Sequence, residues 1–166
     1  MSQIPTIDLT DIDSATGIYS IAKQLRQVYS TVGFGKVINH PISHELIDNM
    51  FSLSKQFHAL PLVNKMAIQA RHNLRGFIPN KSYALKQTGI GESTSTPNLS
   101  DSLGIMIELD KIQSKSANNT YFSGSNQWPD ALPELKQTAT IYMQEMTKLS
   151  CRLLQAFALS VELDID

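Results

Sequence analysis

The chain has 166 residues, of which 42% are hydrophobic and 17% charged, and its formal net charge is −1. This composition is typical of a globular protein, and the length predicts a single domain over residues 1–166. The near-neutral charge argues against a general nucleic-acid binder. The single cysteine, Cys151, excludes an internal disulfide framework and a cysteine-rich zinc site. Because neither a signal peptide nor a membrane-spanning apolar run is visible, we expect a cytoplasmic protein with no membrane partner.

The first part of the chain predicts a strand, a helix and a second strand. Residues 4–9 alternate apolar and polar side chains, as in a short edge strand. Apolar residues then recur at intervals of three and four over residues 18–32, which predicts an amphipathic helix with its apolar side in the core. Gly33 suits the C-terminal cap of that helix. Residues 34–40 are β-branched at their centre and predict the second strand.

The middle of the chain predicts two more helices and a further strand. Ser43 suits the N-cap of a helix that should end near Ala59, since the residue before Pro61 disfavours helical backbone. Pro61 suits the first turn of a short helix through about Gln69. Residues 87–102 are rich in glycine, serine and threonine and predict a loop. Residues 103–109 predict another strand.

The last segment gives the clearest helical pattern of the sequence. Apolar residues recur at three and four from residue 131 to about residue 160, and Pro133 lies in the first turn, where its missing N–H costs little. An unbroken helix of this length would measure roughly 45 Å, so its apolar side needs an extended partner surface. Cys151 lies beside apolar residues of this helix, which favours a buried, inert thiol over a nucleophile.

Five short strings carry a family resemblance. In chain order they are Ile-Pro-x-Ile-Asp-Leu at residues 4–9, Gly-Phe-x-x-Val-Ile-Asn-His at 33–40, Phe-x-x-Leu-Pro-x-x-x-Lys at 57–65, Arg-Gly-Phe-x-Pro at 75–79 and Asn-x-Trp-Pro at 126–129. Together they resemble the N-terminal region of the isopenicillin N synthase-like non-haem iron(II)/2-oxoglutarate-dependent dioxygenases. Two departures stand out: Phe77 replaces the family's usual tyrosine, and residues 101–104 lack the lysine and glutamate of its Asp-x-Lys-Glu string.

The resemblance implies an α+β fold. It corresponds to the N-terminal helical and strand half of a double-stranded β-helix (jelly-roll) oxygenase, with three or four helices, a long C-terminal helix and an incomplete barrel. In that family the catalytic half follows, and the long helix lies along the outside of the barrel. Without that half, the resemblance implies an exposed apolar helix face. We therefore expect self-association, instability, or a second chain that completes the barrel.

The family's cofactor signatures are missing from these residues. The family holds iron with His-x-Asp and a distal histidine, and the oxoacid with Arg-x-Ser. The residues two positions after the four histidines are isoleucine and leucine, and those after the four arginines are valine, asparagine, phenylalanine and leucine. Fe(II) and 2-oxoglutarate are therefore expected for the parent family but not for this chain, and we predict neither catalytic nor metal-binding residues in it.

The resemblance does suggest substrate-binding residues. Its Arg-Gly-Tyr-x-Pro stretch lies near the substrate mouth, where the Arg75 guanidinium could pair with a substrate carboxylate. Phe77 and Tyr83 could line the same mouth, although packing is the alternative for both. His40 and His44 are four residues apart, but the intervening Pro41 argues against a metal pair on one helix face. A hydrogen-bonded imidazole at the end of a strand is the alternative reading of His40.

Two functions from different classes remain open. The first is the N-terminal portion of an iron(II)/2-oxoglutarate-dependent oxidoreductase that acts on a small organic substrate, inactive as this chain alone. The second is a degenerate, non-enzymatic interaction module that uses the exposed helix face. The coding sequence downstream of this chain would discriminate between them.

Overall fold

The computed structural model describes residues 4–70, 74–80, 84–85, 96–97, 99–107 and 124–163. These ranges contain four helices and six short strands, in the order β1 (Thr6–Asp8), α1 (Gly17–Thr31), β2 (Lys36–Ile38), α2 (His44–Ala59), α3 (Leu62–Met66), β3 (Gly76–Ile78), β4 (Ala84–Leu85), β5 (Thr96–Pro97), β6 (Ser102–Gly104) and α4 (Glu134–Ser160). The described strands form three two-stranded sheets and no closed barrel. The predicted α+β class is therefore confirmed in its coarse form.

The chain divides into two compact units. The first unit comprises Met1–Asn49 and Ala139–Asp166, and the second comprises Met50–Thr138. The prediction that residues 1–166 form one domain stays a prediction. None of the helices in the described ranges combines the length and the apolar character that a membrane crossing requires.

The first unit is built on a parallel strand pair. Strand β1 pairs with β2 in the register Ile7 to Val37, and α1 is the connection between them. Such a parallel pair needs a long crossover, which a helix supplies. Its core combines side chains of β1, α1 and α4 with apolar residues of the connections before α1 and α2: Ile7, Leu9, Ile12, Ile18, Ile21, Leu25, Val28, Ile42, Leu149 and Ala156.

The second unit has its own core around an antiparallel strand pair. Strand β3 pairs with β6 so that Phe77 lies opposite Leu103, and β4 pairs separately with β5. The buried residues of this core come from α2, the chain just after α3, β3, and the residues just before and at the start of α4: Leu53, Phe57, Ile68, Phe77, Leu132 and Leu135. The strand predicted over residues 103–109 is therefore shorter and begins one residue earlier.

Local signals in the sequence identify several helix ends correctly. Gly33 has φ 86° and its N–H donates to the Val28 carbonyl at 3.1 Å, as predicted for a left-handed cap. Helix α2 ends at Ala59 as predicted, and the N–H of Leu46 reaches the Ser43 hydroxyl at 3.4 Å. Helix α3 ends earlier than predicted, at Met66, because the Ile68 carbonyl accepts the N–H of Phe77 instead.

The prediction of a buried Cys151 is wrong, since this thiol is exposed. Leu149 and Ala156, seven residues apart, face the core from α4. Cys151 lies two residues after Leu149, about 200° around the helix, and so points away from that core. The periodicity also predicts Tyr29 within the apolar side of α1, but 46% of its surface is exposed and its ring packs edge-on against Phe157 at 5.0 Å.

Candidate functional site

Arg75, the first predicted substrate residue, lies in the second unit with only 1% of its surface exposed. Its Nη1 donates to the Met106 carbonyl at 3.2 Å and to Asn126 Oδ1 at 2.8 Å. Its Nη2 donates to the Ile107 carbonyl at 3.0 Å. The guanidinium fork is thus directed at three acceptors of the protein itself, which suits a buried arginine because buried charge needs partners.

Asn126 and Gln127 complete this arrangement. The Asn126 side-chain amide accepts the N–H of Met106 at 3.0 Å and donates to the Met106 carbonyl at 2.6 Å, so it pairs with Met106 as a neighbouring strand would. Gln127 Nε2 donates to the Arg75 carbonyl at 2.7 Å and to the Gln69 carbonyl at 3.3 Å. We call Arg75, Met106, Ile107 and Asn126 the Arg75 cluster. The cluster also explains why β6 ends at Gly104. The N–H and carbonyl of Met106 bond to the Asn126 side chain instead of to a neighbouring strand.

Gly76 permits the close approach of β3 to the backbone that follows α3. Its φ is 111°, a left-handed conformation that side chains rarely adopt. A Cβ at this position would also overlap the Ile68 carbonyl oxygen. The Arg-Gly step therefore allows β3 to run directly against the chain after α3, where Phe77 exchanges hydrogen bonds with Ile68 and Ala70 at 2.8 and 2.7 Å.

Phe77, the second predicted substrate residue, is 1% exposed and belongs to the core of the second unit. Its ring lies 6.1 Å from the Phe57 ring, and the Lys65 ammonium lies 5.3 Å from its centroid. Tyr83, the third predicted residue, lies outside the described residues. A substrate-binding role for Arg75, Phe77 and Tyr83 stays a prediction.

A second charged group in the same unit involves Asp101. Its Oδ1 lies 3.0 Å from His58 Nδ1, and its Oδ2 lies 3.4 Å from the Lys65 ammonium. Lys65, only 9% exposed, also donates to the His58 carbonyl at 3.0 Å. The carboxylate therefore joins the end of α2, α3 and the residue before β6, although the following residues lack the charges of the family string.

In the first unit, Asp8 is the centre of a group of hydrogen bonds. Its Oδ1 accepts the Thr10 hydroxyl at 2.7 Å, the Thr10 N–H at 3.0 Å and the Asn39 amide at 2.9 Å. Hydrogen bonds from the Thr10 side chain, then Asn39, then the Thr10 backbone lower the pKa of this carboxyl because they favour its charged form. Asn39 reaches Asp8 from a left-handed conformation with φ 54°.

The histidines of the described ranges do not form an iron site. His40 and His44 have ring centroids 5.9 Å apart, and neither has a third ligand nearby, since the described residues contain no group of three histidine, cysteine or carboxylate side chains able to hold a metal. His40 Nδ1 is buried and has no hydrogen-bond partner among these residues. The hydrogen bond expected for the His40 imidazole is therefore not made at Nδ1 by these residues, and for the ring as a whole it stays a prediction. The donor set of the described residues does not fit the family's iron and oxoacid.

The sequence singles out Arg75 but does not identify its partners. Asn126 lies 51 residues away in the chain, and neither its spacing nor its type indicates an arginine partner. The Asn-x-Trp-Pro string is the one signal that could have drawn attention to it. In the sequence, Asp101 is notable only as the one residue that matches the charged positions of the family's Asp-x-Lys-Glu string. Its partners, Lys65 and His58, precede it by 36 and 43 residues.

The sequence has recognisable relatives among plant and fungal enzymes. Residues 4–131 match the family described as "non-haem dioxygenase in morphine synthesis N-terminal". Azadirone synthase LFS of Melia azedarach is 31% identical over 96% of this chain and 46% of its own length. The 2-oxoglutarate-Fe(II) type oxidoreductase hxnY of Emericella nidulans is 31% identical over 87% of this chain and 41% of its own length. The chain thus spans about half the length of the curated relatives it matches.

The fold has a similar counterpart among solved structures. A full-length Neurospora crassa protein, solved in complex with alpha-KG, superposes with a TM-score of 0.72 and 23% identity, covering 97% of this chain and 48% of that one. This similarity supports the fold, and the family match covers most of the sequence. The predicted resemblance is confirmed: the chain belongs to the N-terminal family of the non-haem, 2-oxoglutarate-dependent dioxygenases.

Proposed function

We propose that these 166 residues act as the N-terminal region of an iron(II)/2-oxoglutarate-dependent oxidoreductase whose substrate is a small organic molecule. The observation that carries the proposal is the family match over residues 4–131, together with relatives that are 2-oxoglutarate-dependent enzymes. When bound, iron and the oxoacid supply oxidative chemistry coupled to decarboxylation of the oxoacid. We place their ligands in sequence beyond these residues, and the compartment in the cytoplasm.

The proposal assigns this chain a supporting role with no activity of its own. The family's His-x-Asp and Arg-x-Ser patterns do not occur in the 166 residues, and the described side chains include no metal-binding group of three. The arginine most similar to a substrate ligand, Arg75, is directed at backbone carbonyls and Asn126. These observations support a scaffold for a site completed by other residues.

Anaerobic calorimetry tests the proposal. The chain alone is titrated with Mn(II), a redox-silent substitute for Fe(II), in the presence of 2-oxoglutarate. We expect no saturable binding, whereas the Neurospora crassa protein whose solved structure contains alpha-KG serves as the positive control under the same conditions. Stoichiometric micromolar binding by the chain would overturn the ligand argument. Unrelated coding sequence downstream would contradict the N-terminal role itself.

A non-enzymatic interaction module is the second candidate, and one observation favours it. Leu154 on α4 and Val161, the residue after α4, are 69% and 54% exposed, and Phe157 between them packs on the exposed Tyr29 of α1. Such apolar surface favours association. Sedimentation of the chain tests this candidate. A concentration-dependent dimer that Leu154→Lys abolishes would support it, and a monomer at high concentration would contradict it.

A further inference from the structure

The Arg75 cluster joins two parts of the chain that are far apart in sequence. Met106 and Ile107 follow β6, and Asn126 lies near the start of the segment that leads to α4. The Arg75 guanidinium bonds to the carbonyls of the first pair and to the side chain of Asn126. Residues 108–123 lie between these points in the sequence. Arg75 therefore bonds to the residues on both sides of that segment.

The hydrogen bonds within the cluster depend on each other. Asn126 Oδ1 accepts from both Arg75 and Met106, and the Met106 carbonyl accepts from both Arg75 and Asn126. Gln127 holds the backbone of Arg75 through its carbonyl. The Asn126 amide both accepts and donates in this buried network, and the loss of one member leaves the remaining buried groups without a partner.

A substrate carboxylate would have to compete with these acceptors. Arg75 is 1% exposed and both of its terminal nitrogens donate to acceptors of the protein, so a carboxylate that paired with either nitrogen would displace Ile107 or the pair of Met106 and Asn126. The released acceptors would then be buried without their charged donor, which costs more than an exposed hydrogen bond returns. The geometry therefore favours an internal role for the guanidinium.

We propose that Arg75 is a positioning residue. It bonds to Met106 and Ile107 after β6 and to Asn126 before α4, and so fixes these two parts of the second unit relative to each other; it is not the ligand of a substrate carboxylate. The proposal goes beyond the N-terminal role proposed above and does not rest on it, because every contact that carries it lies within this chain.

Residue-resolved hydrogen exchange of the 166-residue chain tests the proposal. The Met106 amide, which donates to Asn126, reports on the cluster, and the Phe77 amide, which donates to Ile68, reports on the rest of the second unit. In Arg75→Lys and Asn126→Ala we expect Met106 exchange to rise at least about tenfold relative to Phe77, because a single ammonium does not reproduce the planar fork. Arg26→Ala, an exposed arginine of the first unit, is the control and should change neither amide.

Chemical rescue separates positioning from a general loss of stability. Arg75→Ala leaves a space of guanidinium shape, so millimolar methylguanidinium should restore Met106 protection and ethylammonium should not. Equal effects of the two cations, or no effect of either, would contradict the proposal. Should Arg75→Ala not fold, Arg75→Lys decides, since an unchanged ratio of Met106 to Phe77 exchange in that variant would overturn the proposal.

A titration with 2-oxoglutarate as the carboxylate probe examines the opposite role. If Arg75 were a carboxylate ligand, the wild-type chain would bind the probe saturably and Arg75→Lys would weaken binding while Met106 exchange stayed unchanged. We expect the reverse, with Met106 exchange altered and no binding that depends on Arg75. The calorimetric test of the proposed function uses Mn(II) and the unaltered chain, so failure of one proposal is distinguishable from failure of the other.

Discussion

The Lys65 ammonium lies 3.4 Å from Asp101 Oδ2 while resting 5.3 Å above the centre of the Phe77 ring. Lys65 thus contacts both the carboxylate of Asp101, just before β6, and the ring of Phe77, which belongs to β3 and to the core of the second unit. Because the Lys65 side chain is only 11% exposed, its charge depends on these partners and on the His58 carbonyl. The pair is therefore more sensitive to substitution than an ion pair on the surface.

Replacing Asp101 with alanine should destabilise the second unit. The change removes the carboxylate from a mostly buried ammonium and from His58, and we expect the free energy of unfolding to fall by about 1–3 kcal/mol. Urea denaturation measures the loss. The control is Glu145→Ala, which breaks an exposed pair with Lys148 on α4 and should cost about 0.2–1 kcal/mol. Equal losses in the two variants would contradict the buried role of Lys65.

Two phenylalanines of α2 offer a matched comparison. Phe57 is fully buried, whereas Phe51 is 66% exposed on the same helix. Phe57→Ala should lower the free energy of unfolding by about 3–5 kcal/mol, because it removes a large core side chain and leaves a cavity. Phe51→Ala should change it by less than about 0.5 kcal/mol. Thermal or urea unfolding distinguishes them, and similar effects would refute the assignment of this core.

A comparison of two glycines distinguishes the stability cost of a strained backbone conformation from the cost of steric overlap. Gly33 and Gly76 both have left-handed φ angles, of 86° and 111°, but only at Gly76 does a Cβ meet another atom, the Ile68 carbonyl oxygen. Gly33→Ala should therefore cost about 1–2 kcal/mol from conformation alone. We expect Gly76→Ala to cost more and to disturb the bond from Phe77 to Ile68. The prediction fails if denaturation midpoints show the two variants to be equally stable.

The carboxyl of Asp8 should contribute stability that depends on pH. Its pKa is lower in the folded chain than the ordinary value because Thr10 and Asn39 donate to the charged form. The unfolded chain therefore binds the proton more tightly, so the contribution is fully present above a pH of about 4 and is lost as the pH falls through the folded pKa. Asp8→Asn should thus be less stable than the wild type at pH 7, with the difference shrinking in acid.

Unfolding curves collected from pH 7 down to pH 3 provide the measurement for Asp8. Asp11→Asn, an exposed carboxylate on the same connection between β1 and α1, is the control for the change in net charge. A difference between wild type and Asp8→Asn that stays constant with pH would show that the hydrogen bonds to this carboxylate do not favour its charged form.

The helices can be predicted from sequence because their signals are local. The Leu60-Pro61 step predicts the end of α2, and Gly33 predicts the cap of α1, since both act through the conformation of one or two residues. The periodicity of α4 predicts its length closely. It does not fix which side of α4 faces the core, and the prediction for Cys151 fails because apolar neighbours in sequence do not determine orientation.

The polar clusters cannot be predicted in the same way. Arg75 meets Asn126 only because β3, β6 and the segment before α4 come together in the folded unit. Nothing local to either residue indicates this pairing, and the resemblance directs Arg75 towards substrate instead. Asp8 and Asn39 show the same limit, since the parallel register of β1 and β2 sets their 2.9 Å contact across 31 residues.

The division of the chain has a consequence for its synthesis on the ribosome. The first unit needs both its first 49 residues and the segment from Ala139 onward, whereas the second unit is continuous. Ile7 and Leu9 therefore emerge long before Leu149 and Ala156, the α4 residues of the same core. During translation the second unit should therefore fold first, because all of its residues emerge before α4 is complete. The core of the first unit, which includes β1, should form only after the end of α4 has emerged.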